Sequence, residues 1–179
     1  MKRCRLHAYA FIAALAAFAS ASVQAGFDEG EIAFAKRDYH TAIAEWRPLA
    51  EAGDAEAQYK LGMMYRRGLG VAPDFRESAK WLLMAARHGH GLAQARLARA
   101  LQNGSGIDPD PVEAYKWILL AVRNENPALE PVMLEMKSTM TPEQVAEAEA
   151  RAERWRPEVC APSETVAVPH PEFVQPLVR

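Results

Sequence analysis

Cysteine is almost absent from this chain of 179 residues, which holds only Cys4 and Cys160. A framework of stapled thiols, the usual support of small exported folds, is thereby excluded, and stability has to come from packing. Long apolar runs are missing too. The best of them, Ala8 to Ala19, is only 12 residues long, against the ~20 that a spanning helix needs. It follows Lys2, Arg3 and Arg5 and precedes Val23-Gln24-Ala25, the layout of a secretory leader cut near Ala25, so a periplasmic or secreted product without an integral membrane span is expected. Positive charge is also in short supply. The formal net charge is −2, and residues 1–25 hold three basic residues and no acidic one, so the chain beyond them stands at −5. That balance argues against nucleic acid or anionic lipid as partner. With Cys4 in the leader, Cys160 reads as an incidental thiol, the sharper alternative being a bridge to another chain, and neither cysteine follows a lipid-attachment pattern.

Catalytic groupings are equally sparse. No Ser-His-Asp order, paired-carboxylate motif or Cys-His pairing stands out among five histidines scattered over the chain. His88-Gly89-His90 has the look of a metal pair but lacks a matched acidic or cysteine partner, and reads as solvent-exposed loop histidines. Met133, Met136 and Met140 could offer thioethers to copper(I), yet methionine is also the common filler of irregular apolar gaps, and this segment has to pack under the last helix. No catalytic residue, cofactor or metal is expected.

What the chain does have is repetition. "GLGVAPD" at Gly68 to Asp74 returns as "GSGIDPD" at Gly104 to Asp110, and Asp38, Asp74 and Asp110 stand 36 positions apart. The same offset lays Trp81 over Trp117, Ala50 over Ala86, Gly53 over Gly89, Ala57 over Ala93, and Leu61 over Leu97 and Met133. The third copy keeps only its first half well. Inside each copy the apolar spacing is helical: Ala79, Leu82, Leu83 and Ala86 fall on one stripe, as do Ala57, Leu61 and Tyr65. Two amphipathic helices per unit follow, and such a pair hides its apolar face only by stacking on neighbours.

The repeated turn could be a phosphate cradle or helix punctuation. A cradle requires a third glycine after a strand, or a Lys-Ser/Thr ending, and neither is present. Punctuation explains every residue: Gly68 and Gly104 stop a helix, Gly70 and Gly106 free the reversal, Pro73 and Pro109 forbid continuation, and Asp74 and Asp110 cap the next helix.

The run Ala57-x-x-x-Leu61-Gly62-x-x-Tyr65-x-x-Gly68-x-Gly70-Val71-x-x-Asp74, followed by Ala79-x-Trp81-x-x-x-Ala85-Ala86-x-x-Gly89, resembles the Sel-one-like repeat (SLR), a relative of the tetratricopeptide repeat. The likeness covers residues 38–124. The second copy departs at Ala98 and Leu101, where the family usually shows Gly and Tyr. The resemblance implies an all-α fold, a short right-handed α-solenoid of stacked helix-turn-helix units with a C-terminal capping helix.

The ends complete the layout. "FDEGEIAFAKR", within 26–37, is expected to form a leading helix whose Ile32 and Phe34 cover the first unit. The array then runs over 38–140, divided at 38–73, 74–109 and a degenerate 110–140. Thr141, Pro142 and Gln144 announce a capping helix over 141–156 with Val145, Ala148, Ala152 and Trp155 as its apolar stripe. From Pro157 to Arg179 five prolines in 23 residues indicate an extended or disordered tail, either featureless or a tether or partner-binding strand.

In tetratricopeptide-like pairs the first helix lines a groove, so residues facing away from the Leu61/Tyr65 stripe are the candidate contacts. These are Glu56, Tyr59, Met63, Arg66 and Arg67, with Leu92, Ala95, Arg99, Gln102 and Asn103 as their equivalents. Arg66, Arg67 and Arg99 could pair with an acidic or C-terminal carboxylate on a peptide, or stand as solvated surface charges. The expected function is a non-enzymatic, exported interaction module that docks a protein or peptide. The alternative is a cell-envelope hydrolase of the β-lactamase-like repeat type, whose relatives look disulfide-stapled at each repeat, as this chain is not.

Overall fold

The structure, a computed structural model, describes residues 26–124 and 127–158. The segment 1–25 expected to be a leader, Cys4, Cys160 and the tail beyond residue 158 lie outside the described residues. Every regular element among them is helical: α1 over 26–35, α2 Tyr39–Glu51, α3 Ala55–Arg67, α4 Phe75–Arg87, α5 Gly91–Asn103, α6 Pro111–Asn124, a 3-10 turn Pro127–Leu129, α7 Glu130–Ser138 and α8 Pro142–Arg154. From α2 to α7 each helix packs on the next, α3 most extensively on α4 and α5 on α6, while α8 lies against α6. The result is the expected stack of helical hairpins.

Local chemistry sets the boundaries. Asp38, Asp54, Asp74 and Asp110 each turn a carboxylate back to accept a free N–H of the following helix, from Thr41 (3.2 Å), Ala57 (2.7 Å), Arg76 and Glu77 (2.8 and 3.0 Å), and Glu113 (2.9 Å). At α5 the same post is held by His90, whose Nδ1 accepts from Ala93 N at 3.1 Å. Thr141 and Gln144 complete a reciprocal capping box at α8. Gly68 and Gly104 end α3 and α5 in the left-handed region, both with φ of 66°.

The second glycine of each turn has a tertiary duty. Gly70 lies against the first residue of α2, where an added Cβ would come within 2.7 Å of Tyr39 Cβ. Gly106 lies against the first residue of α4, where it would come within 1.9 Å of the Phe75 carbonyl oxygen. Each turn therefore seats directly on the helix start one unit earlier and sets the spacing between units. Gly62 has a third such role, since a Cβ there would stand 2.9 Å from Leu82 Cγ at the α3–α4 crossing.

Two apolar clusters share the stack. One gathers Ala33, Ile43, Trp46, Leu61, Met64 and Trp81; the other holds Leu82, Leu97, Tyr115, Trp117, Ile118, Met136 and Ala148. Gln58 and Gln94, 36 positions apart, are wholly buried and donate to the Ala50 and Ala86 carbonyls at 2.9 and 3.2 Å, tying each helix start to the end of the helix before it.

The leading helix covers the first unit, but not with both expected residues. Ile32 is 53% exposed, because the helix turns its Phe27, Gly30, Ala33 and Phe34 side inward, with Phe34 5.7 Å and Phe27 6.1 Å from the Trp46 ring. Gly30 allows that approach, a Cβ there being 2.2 Å from Trp46 Nε1. At the other end the degenerate third unit does form a second helix, α7, cut to 9 residues where α5 has 13. Its Met136 is buried, and Met133 and Met140 pack beside it, which is the filler role.

α8 closes the stack with Ala148 and Ala152 buried and Trp155 edge-on to Trp117 at 6.0 Å. The chain then folds back. Glu158 N donates to the Arg87 carbonyl at 2.8 Å, its carbonyl meets His88 Nδ1 at 2.9 Å, and Trp155 and Pro157 lie beside Gly89. The end of the described chain thus clasps the end of α4.

Candidate protein-docking face

The predicted contacts sit on α3 and α5, but they separate into groups with different surroundings. Glu56 and Tyr59 are engaged internally. Because His90 Nδ1 accepts a backbone N–H, its Nε2 carries the proton and donates to Glu56 Oε2 at 2.7 Å, while the Tyr59 ring stacks on the imidazole at 4.6 Å and 21°. His90 is therefore not the solvent-exposed loop histidine the sequence indicated; its side chain is 12% exposed and joins α3 to the start of α5. His88 is equally committed, to the clasp at Glu158. Among the described residues no group of three or more histidine, cysteine or acidic side chains is placed to hold a metal.

Met63 and Arg66 are half-buried on α3, and Arg67 is exposed at its last turn. Neither arginine has an ion-pair partner among the described residues, in contrast to Lys60, which binds Glu31 at 2.8 Å. On α5, Arg99 lines a depression of about 220 Å³ together with Leu92, Ala95, Arg96, Ile118, Leu129, Val132 and Met136. Gln102 lines a second of about 180 Å³ with Leu101, Pro109, Pro111, Ala114, Met136, Thr139 and Met140. Asn103 is exposed at the end of α5. The structure thus joins Arg99 with Leu92 and Ala95, and leaves Arg66 and Arg67 on the neighbouring helix.

Sequence reasoning missed Arg96 and the α7 wall. Arg96 is the i−3 neighbour of Arg99 on one helical face, a signal available to it. The wall follows from Pro127 and Pro131, which delay and shorten α7. Among the described residues no helix is long and apolar enough to cross a membrane.

Comparison with known proteins agrees with this architecture. The Sel1 repeat family matches residues 55–90 and 91–126, so each family unit pairs α3 with α4 and α5 with α6 across the Gly-x-Gly turn. Among solved structures, a protective antigen of uropathogenic Escherichia coli displaying an SLR fold superposes with a TM-score of 0.69 at 27% identity, over 74% of this chain and 29% of that one. A Sel1 repeat protein from Oxalobacter formigenes superposes with a TM-score of 0.55 at 29% identity, over 58% of this chain and 43% of that one. This chain therefore spans less than half the length of either. With two family units located and the stack geometry shared, this chain carries Sel1 repeats in an all-α array of the SLR type.

Proposed function

We propose that this chain is an exported, non-enzymatic interaction module that binds a peptide or protein surface along the face of α3 and α5, serving as adaptor or regulator of another envelope protein. The observation that carries the reading is the set of guanidinium groups on that face, Arg66, Arg67, Arg96 and Arg99, which have no ion pairs among the described residues, beside apolar surface that the stack leaves open. Repeat arrays hold such a face rigid, so little ordering entropy is lost on the module's side when a partner docks. Export rests on the leader-like 1–25 segment.

A photo-crosslinking residue placed at position 66 or 99 in intact cells tests the docking face. The expected result is one common adduct from both positions, lost on charge reversal of Arg96 and Arg99, with the module found outside the cytoplasm and beginning near residue 26. Adducts only from positions beyond Pro157 would move recognition to the tail.

A further inference from the structure

The depression beside Arg99 arises because α7 is shorter than the helix it pairs with. Leu129 and Val132, half-buried at the border of the core, form its wall, and the buried Ile118 and Met136 lie beneath it. Leu92 stands at the lip, 47% exposed, and carries the apolar lining out to the surface. Arg96 and Arg99 line the same opening, and neither makes an ion pair among the described residues. The charge is sorted by element: α3 and α5 together carry five basic side chains against Glu56 alone, whereas α8 carries four glutamates against two arginines.

The size of the opening limits what can enter it. A volume of about 220 Å³ falls short of the ~300–1,000 Å³ typical of small-ligand sites, and it matches roughly one large aliphatic or aromatic side chain. The remainder of any ligand has to lie across the surface, where it meets the two guanidinium groups. Carboxylates suit them best, because guanidinium pairs with planar oxyanions in charge-assisted, bidentate fashion. A nucleic acid would also supply oxyanions, but the net negative chain opposes it.

We propose that this depression is the anchor subsite of the docking face and that it takes an acidic peptide segment: one apolar side chain fills the space over Ala95 and Ile118, and flanking Asp or Glu carboxylates pair with Arg96 and Arg99. The assignment rests on the interaction-module reading and adds the chemistry of its partner.

The probe is a displayed library of random dodecapeptides selected on the purified full chain. Enriched peptides are expected to carry an aliphatic or aromatic residue bordered by Asp or Glu. Their affinity falls about tenfold or more for Arg96→Glu or Arg99→Glu, falls further at higher salt, and returns when the peptide carboxylates are exchanged for lysines against the double reversal. Leu92→Glu at the exposed lip weakens binding without touching the core, and circular dichroism checks that each variant remains helical. Enriched peptides that ignore Arg96, Arg99 and Leu92 but respond to Arg66→Glu or Arg67→Glu would overturn the subsite and leave the docking face standing. Enrichment of basic peptides would overturn the subsite as well. Binding at least tenfold tighter by a chain ending at Glu158 would make the chain's own tail the occupant and remove the external acidic partner. A library that yields no binder at all would bring down both readings.

Discussion

Replacing Gly106 by alanine isolates the contact that spaces one unit from the next. Gly104 and Gly106 stand in the same turn with positive φ, 66° and 77°, so alanine at either incurs a left-handed cost of roughly 1–2 kcal/mol, partly offset by about 0.4–1 kcal/mol from a stiffer unfolded chain. They differ in what the methyl meets. At Gly104 it lies 3.1 Å from Pro109 Cγ, which a small ring shift relieves, whereas at Gly106 it lies 1.9 Å from the Phe75 carbonyl oxygen and 2.6 Å from Arg76 N. Backbone cannot rotate away, so the turn has to lift off α4, adding an overpacking cost of about 1–3 kcal/mol. Gly104→Ala should cost about 1 kcal/mol and Gly106→Ala about 3 kcal/mol, with Gly70→Ala between them, its nearest neighbour being Tyr39 Cβ at 2.7 Å. Urea unfolding followed by helical circular dichroism reads these differences directly. If Gly106→Ala and Gly104→Ala fall within about 0.5 kcal/mol of each other, the second glycine is only a flexible link and the seating of turn on helix start does not hold the stack together.

Two further outcomes follow from the last helix. Thr141→Ala removes one half of the capping box and should lower stability by about 1 kcal/mol in the same urea assay, with Thr141→Ser close to the parent. The Arg151 guanidinium, bound to Glu147 Oε1 at 2.8 Å, holds the Glu147 carboxyl below its ordinary range, as the Thr41 hydroxyl and amide do for Asp38. A lowered folded-state pKa means stability that is present above the unfolded carboxylate range and is lost as pH falls through the folded value, so Glu147→Gln should flatten the stability profile below about pH 4.5 and leave it flat near neutrality.

The helix ends were legible because they are local. Gly68, Gly104, Asp74, Asp110, Thr141 and Gln144 act within four residues of themselves, and the structure finds each in its expected post. The 36-residue offset likewise exposed the stack, since identical positions meet equivalent surroundings: Trp81 and Trp117 are both buried. What stayed hidden depends on partners distant in sequence. His90 reads as a polar loop residue until Glu56 and Tyr59, more than 30 positions earlier, are placed against it. Gln58 and Gln94 carry no local signal of burial, and each reaches a carbonyl eight residues back inside the core. Ile32 reads as inward on hydrophobicity, but Gly30 on the other side of the helix packs against Trp46 and turns it outward. On the candidate face, Arg99 is legible from its offset to Met63 and Arg96 from its spacing to Arg99, whereas the α7 wall beside them depends on where Pro127 and Pro131 place that helix.

The return of Glu158 to Arg87 changes how the array comes apart. An ordinary linear pile can fray unit by unit from its free end, each loss exposing only the next interface. Here the last described residues bind the end of α4, so α8 cannot peel away freely without also breaking the Glu158 bonds to Arg87 and His88. The segment from α8 to Glu158 thereby behaves as a buckled strap: its amides should be better protected from exchange with solvent than those of an unclasped terminal helix.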